Sequence, residues 1–182
     1  MLRRRYVTDE PQTRSTASHG IARLVFGVGG GIASTVYGTV VVMATVTAAY
    51  ATETNPWKLA VLVVSTVLVL WIAHLYAHGL SESIAHNRRI SREDLTAIAH
   101  RELGILLAAA APVAALLLGA VGLLGRSASV WLALGLGLAT LAVEGVRYAR
   151  LEHLGRAATL GAIGGNLALG LLVVALKVGL QH

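Results

Sequence analysis

The sequence has 182 residues, of which 55% are hydrophobic and 13% are charged, with a net charge of +6 and no cysteine. Soluble domains carry about a quarter charged residues, so this composition excludes a compact soluble domain, which would be unable to cover so much apolar surface. The lack of cysteine also excludes disulfides and thiolate metal sites.

Five apolar runs are long enough to cross a bilayer, which needs about 20 residues of helix. They predict an all-α polytopic membrane protein with five transmembrane helices in a single domain, residues 21–182. Residues 1–20 are predicted to form a disordered cytoplasmic tail, and residues 81–102 a short amphipathic cytoplasmic segment. The predicted helices cover residues 21–51, 57–80, 103–125, 128–149 and 157–178.

The basic residues predict the orientation of the chain in the membrane. Twelve of the fifteen lysines and arginines fall at the N-terminus, between the second and third spans, or between the fourth and fifth spans. Because basic residues concentrate on the cytoplasmic side, the N-terminus is predicted in the cytoplasm and the C-terminus outside, in a multi-pass protein of the cell membrane. The net positive charge is then explained by this orientation and by attraction to anionic lipid, and no nucleic-acid binding is predicted.

Small residues recur at helical spacing in the first and fifth spans. Gly31 and Thr35 are four residues apart, as are Gly161 and Gly165. Such strips allow close packing of helices, and the alternative is a helix break that opens a substrate path. Pro112 is expected to kink the third span.

A stripe of histidine and glutamate at the end of the second span is the main candidate site. His74, His78, Glu82 and His86 recur every four residues, so neighbours along the stripe are able to share one ion. Imidazole and carboxylate suit iron(II), manganese or zinc. The alternative is a solvated or hydrogen-bonded face of the helix.

Further carboxylates and histidines are expected on the same side of the membrane. Glu144, inside the fourth span, is a candidate fifth ligand because ionisable groups within spans are often functional. Arg147, three residues on, provides the alternative of simple neutralisation. Ser91 is expected to cap a helix with acids in its first turn. The secondary candidates that precede the third span are Glu93, Asp94, His100 and Glu102.

Several segments resemble the vacuolar iron transporter (VIT) family. The opening of the first span, residues 23–35 (RLVFGVGGGIAST), resembles that of the family, as do residues 112–120 in the third span and 145–168 around the fourth and fifth spans. The resemblance implies a homodimer through the first helix and a cytosolic entrance for divalent cations. Gly30 stands where the family has an aspartate, the His74, His78 and Glu82 series replaces a Met and Glu pattern, and the long cytoplasmic insertion is shortened to residues 81–101.

Two functions therefore stay open. The first is a transporter or sensor of a divalent metal ion (iron, manganese or zinc), with a His/Glu cluster at the cytoplasmic mouth. The second is a non-transporting VIT-like scaffold or partner-binding membrane protein, indicated by the missing acid in the first span. No enzymatic activity is predicted, because the sequence holds neither a phosphate-binding loop nor a nucleophile motif.

Overall fold

The computed structural model describes residues 28–87 and 89–180, and within these ranges it is entirely helical. The predicted tail, residues 1–20, lies outside the described residues. The all-α prediction is confirmed. The helices are α1 (Val28–Tyr50), α2 (Pro56–His86), α3 (Arg92–Arg101), α4 (Leu103–Ala120), α5 (Arg126–Leu151) and α6 (Arg156–Leu180).

Five stretches of helix are long and apolar enough to cross a membrane, as the sequence predicts. They lie in α1, α2, the α3–α4 pair, α5 and α6. Large apolar side chains on α2 and α6 point away from the rest of the chain, where hydrocarbon would solvate them. Among these exposed side chains are Val69, Ile72, Leu160, Leu172 and Leu176. The molecule is therefore a multi-pass membrane protein.

The core of the bundle forms around α1 and α4. Helix α4 packs against α1, α2 and α5, and α1 contacts every other helix. Met43 of α1, Leu116 of α4 and Leu134 and Leu141 of α5 are fully buried in one apolar cluster. Helices α2 and α6 cover this centre from the outside, so most of their surface is left to lipid.

Glycines allow α1 and α4 to approach closely. A Cβ atom added at Gly38 would lie 2.9 Å from Cα of Ile105, and one added at Gly104 would lie 2.6 Å from Oγ1 of Thr35 and 2.9 Å from the carbonyl oxygen of Gly31. All three distances are shorter than a van der Waals contact. Helices α1 and α6 are also continuous over their described lengths, so the small residues of α1 serve helix packing and do not break the helix.

Two described helix ends, those of α2 and α4, differ from the expected span limits by more than two residues. Helix α2 continues past residue 80 to His86, where Asn87 adopts a left-handed conformation with φ of 46°. Helix α4 ends at Ala120 because Gly122, with φ of 80°, turns the chain. Between them, α3 begins with the expected cap: Ser91 and Asp94 each accept a hydrogen bond from the other's backbone N–H.

Candidate functional site

The candidate site lies at the end of the bundle where α2 ends, α3 lies across, and α4 begins, called here the α3 end. It is also the end at which α5 ends and α6 begins. Glu102 is the one residue between α3 and α4. Gly104, two residues later, lets α4 lie directly on α1. Glu102 is thereby held within reach of side chains from α1 and α2.

Glu102 is a buried carboxylate, with 4% of its surface exposed. Its Oε2 atom accepts a hydrogen bond of 2.6 Å from the Ser34 hydroxyl on α1. Its Oε1 atom lies 3.5 Å from Nε2 of His78 on α2 and 3.8 Å from Nε of Arg101. A buried charge is tolerated only where such groups replace water, and these three residues provide that replacement.

The two inner histidines of the stripe form a short row with an aromatic ring of α1. The ring of His74 lies 5.2 Å from the ring of Tyr37 and 6.2 Å from the ring of His78, measured between centroids. Nδ1 of His74 is 3.1 Å from the carbonyl oxygen of Leu70. Because a carbonyl oxygen only accepts, this bond requires the proton on Nδ1, so Nε2 is the ring nitrogen left for any other contact.

The outer half of the predicted stripe is only partly described. Glu82 lies about one helical turn beyond His78 on α2 and is half-buried. His86 is the last residue of α2, and its side chain lies outside the described part of the structure. These two positions follow His78 toward the end of the helix.

Glu144 is held by its own helix. It is buried on α5, with 4% of its surface exposed. Nη1 of Arg147, one turn later, donates to both carboxylate oxygens, at 2.7 Å and 2.9 Å. This is the neutralising ion pair that the spacing allows, and it occupies the oxygen atoms that a metal ion would use.

The structure thus brings the candidate site residues together in a different combination from the one that the sequence predicts. His74 and His78 are neighbours, and His78 faces Glu102, which the sequence places only among secondary candidates. Within residues 28–87 and 89–180, no three histidine, cysteine, aspartate or glutamate residues lie close enough to hold a metal ion together. The five-residue set of His74, His78, Glu82, His86 and Glu144 stays a prediction, since the His86 side chain is not described.

Glu102 had a signal in the sequence that pointed to burial. It directly precedes the uninterrupted apolar run that starts at Leu103, so the first turn of a span must carry it into the bundle. A carboxylate in that position needs a donor from another helix. The sequence does not show which helix supplies the donor.

Comparisons of the chain with models of protein families, with curated proteins and with solved structures found no match. The resemblance to the VIT family therefore stays a prediction from the motifs. The geometry of the α3 end carries the functional argument that follows.

Proposed function

We propose that this multi-pass membrane protein moves or senses a divalent metal ion, as the VIT-like motifs imply, and that His78 and Glu102 are its first two ligands. The single observation that carries the proposal is a buried carboxylate facing an imidazole nitrogen at 3.5 Å. His78 is half-exposed, so an ion reaches the pair from the water at the α3 end.

The spacing of the pair suits a bridging ion. Two ligand atoms that each lie about 2.0–2.1 Å from a tetrahedral zinc ion are about 3.4 Å apart. Nε2 of His78 and Oε1 of Glu102 are separated by 3.5 Å, so an ion fits between them with little movement. Ser34 holds the other oxygen of Glu102, as residues that orient a metal ligand do.

Two protein ligands are few for a permanent site, and this favours an ion in transit. An ion on a transport path must bind well enough to enter and weakly enough to leave. We assign Glu82 and His86 to the part of the ion path that leads along α2 to His78. His74, beside Tyr37, is assigned to the next position of the ion inside the bundle. Glu144 has no ligand role in this proposal while Arg147 occupies it.

Metal binding by the purified protein in detergent tests the assignment. Competition with a chromogenic chelator measures the affinity for zinc, manganese and iron(II). His78→Ala and Glu102→Gln are each expected to lower the affinity by more than the roughly 10–100-fold that removal of an orienting residue causes. The matched control is His100→Ala, which removes an exposed histidine from α3 at the same end. Equal loss in all three variants, or in none, would exclude the site.

Ion flux separates transport from the second candidate, a non-transporting scaffold or partner-binding protein. The ion pair of Glu144 with Arg147 favours the scaffold, because Arg147 occupies the carboxylate inside α5 and leaves it unavailable to an ion. Proteoliposomes loaded with a metal-sensitive dye are expected to respond to external metal for the unmodified protein and to fail for Glu102→Gln. Binding without flux in the unmodified protein would indicate a sensor, and neither binding nor flux would indicate a scaffold.

The proposal includes a homodimer through α1. Ala33, Tyr37, Ala44 and Ala48 are the exposed residues in the part of this helix whose burial is described, and they lie along one face. The three alanines are small residues that suit a close helix contact. Ala44→Cys is expected to cross-link to its copy in native membranes, whereas Leu172→Cys, on the outer face of α6, is not. Cross-linking of both variants to the same extent would exclude this interface.

A further inference from the structure

A groove lies between the end of α1 and the start of α2, at the end of the bundle opposite the α3 end. Its volume is about 510 Å³, which is within the usual range for a small-molecule site. Its lining includes the polar side chains of Thr52, Glu53 and Lys58 and the apolar side chains of Trp57, Val61 and Leu62. The groove thus offers both charged and apolar contacts to a ligand.

Two of the polar lining residues carry opposite charges and lie side by side. Nζ of Lys58 lies 3.7 Å from Oε2 of Glu53, and the Lys58 side chain is 68% exposed. Oε1 of Glu53 accepts a hydrogen bond of 3.0 Å from the backbone N–H of Asn55. This bond fixes the carboxylate, whereas the lysine is paired with Glu53 only at 3.7 Å and, on a long and exposed side chain, is able to turn to a negative group beside it.

The rim of the groove is fixed by an arginine of α5. Nη2 of Arg126 donates to the carbonyl oxygens of Tyr50 and Glu53, at 2.5 Å and 2.8 Å. Its guanidinium also stacks on the Tyr50 ring, 4.0 Å from the centroid. Glu53 is therefore held in place before any ligand binds, which lowers the entropy lost on binding.

The position of the groove relative to the spans defines its surroundings. Residues 51–55 connect the span that ends at Tyr50 with the span that begins at Pro56, so Glu53 and Lys58 lie at the boundary between water and lipid. Trp57 is exposed at this level, where tryptophan is enriched in membrane proteins. Val61 and Leu62 lie about one turn deeper on α2, at the depth of acyl chains.

We propose that this groove binds a phospholipid whose headgroup carries both a phosphate and a primary ammonium, as phosphatidylethanolamine does. The phosphate pairs with Lys58, the ammonium donates to Glu53, and the acyl chains lie on Val61 and Leu62. Charge complementarity selects this class. An anionic headgroup leaves Glu53 facing negative charge, and a choline headgroup offers the carboxylate no N–H donor. This site is independent of the proposed metal function.

Quenching of Trp57 by brominated lipids tests the proposal in vesicles. The reporter is the full chain with Trp71→Phe and Trp131→Phe, in mixtures that contain brominated phosphatidylethanolamine, phosphatidylcholine or phosphatidylglycerol. Brominated phosphatidylethanolamine is expected to occupy the site about two- to fivefold above its share of the mixture, as one interfacial ion pair provides. Glu53→Gln is expected to remove this preference. Glu93→Gln, an exposed acid at the α3 end, is the control.

Two results would overturn the proposal. Equal quenching by the three lipids would show that Trp57 contacts bulk lipid only, and a preference for phosphatidylglycerol would show a plain cationic surface. The unmodified chain provides a second measurement that needs no tryptophan variant: mass spectrometry of the protein released from mixed micelles counts the lipids retained. Retention of phosphatidylethanolamine over phosphatidylcholine supports the site, and equal retention overturns it.

Discussion

Glu102, at the start of α4, contacts side chains of α1 and α2, so it links three helices. Its carboxylate is bound by Ser34 of α1, faces His78 of α2, and lies at the start of α4. Ser34 and Arg101 compensate for the water that burial removes. In the proposed site, an ion between His78 and Glu102 would meet a carboxylate that Ser34 already orients through its other oxygen, Oε2.

Removal of the Ser34 hydroxyl tests this orientation. Ser34→Ala leaves Oε2 of Glu102 buried without its donor, which is expected to destabilise the fold by about 1–3 kcal/mol. It is also expected to lower metal affinity by about 10-fold, since the carboxylate loses its orienting partner. Thermal unfolding in detergent and chelator competition measure the two effects.

Ser34→Thr and Ser127→Ala are the controls for this prediction. The first keeps a hydroxyl at the same position and is expected to keep most of the metal affinity. The second removes an exposed hydroxyl at the other end of the bundle. Unchanged metal affinity in Ser34→Ala would contradict the role of the hydroxyl at the site.

The ion pair of Glu144 and Arg147 gives a second prediction for single residues. Arg147→Ala leaves a buried carboxylate without its donor and is expected to lower stability by about 1–3 kcal/mol. The double variant Glu144→Gln with Arg147→Ala is expected to recover part of that loss, because no buried charge then remains. Metal affinity is expected to stay unchanged in both of these variants and in Glu144→Gln alone. A loss of affinity in Glu144→Gln alone would place Glu144 at the ion site.

Among the helices, the contact of α1 with α4 depends on glycine. A Cβ atom at Gly38 would lie 2.9 Å from Cα and 3.0 Å from the carbonyl oxygen of Ile105, so a side chain there meets backbone that has no way to rotate aside. Gly38→Ala is expected to destabilise the protein by about 1–3 kcal/mol, the usual cost of overpacking. Thermal unfolding in detergent measures the change.

Gly135 is the matched control for Gly38. It lies inside α5, where an added Cβ atom has no other atom within 4 Å. Gly135→Ala is expected to raise stability by up to about 1 kcal/mol, because alanine is the better helix former. Similar effects of the two substitutions would show that α1 and α4 do not pack at Gly38.

The distance along the chain between two contacting residues explains why some features are predictable from the sequence and others are not. The Ser91 cap and the Glu144–Arg147 pair are predictable because their partners lie three residues apart. The end of α2 is not predictable in this way, because span length limits only the apolar part of a helix. The more polar residues 81–86 continue the same backbone hydrogen bonding. The link between Ser34 and Glu102 crosses 68 positions, and it depends on how α1 and α4 assemble.

Across the whole molecule, charge differs between the two ends of the bundle. Lys58 and Arg126 are the basic residues near the opposite end whose side chains the structure describes, and Arg126 is occupied by backbone carbonyls. The α3 end is much richer in arginine. Its described arginines are Arg89, Arg92, Arg101, Arg147, Arg150 and Arg156. This asymmetry predicts that the α3 end, and with it the His78–Glu102 pair, faces the cytoplasm.

Cysteine labelling tests this orientation directly, because the chain has no cysteine of its own. Ala97→Cys lies on the exposed face of α3, and Ser127→Cys lies exposed at the start of α5. In intact cells, a membrane-impermeant maleimide is expected to label Ser127→Cys at once and Ala97→Cys only after permeabilisation. The reverse pattern would place the His78–Glu102 pair outside the cell. An ion would then enter the protein from the external medium, and the proposed direction of access would be wrong even if both residues bind metal.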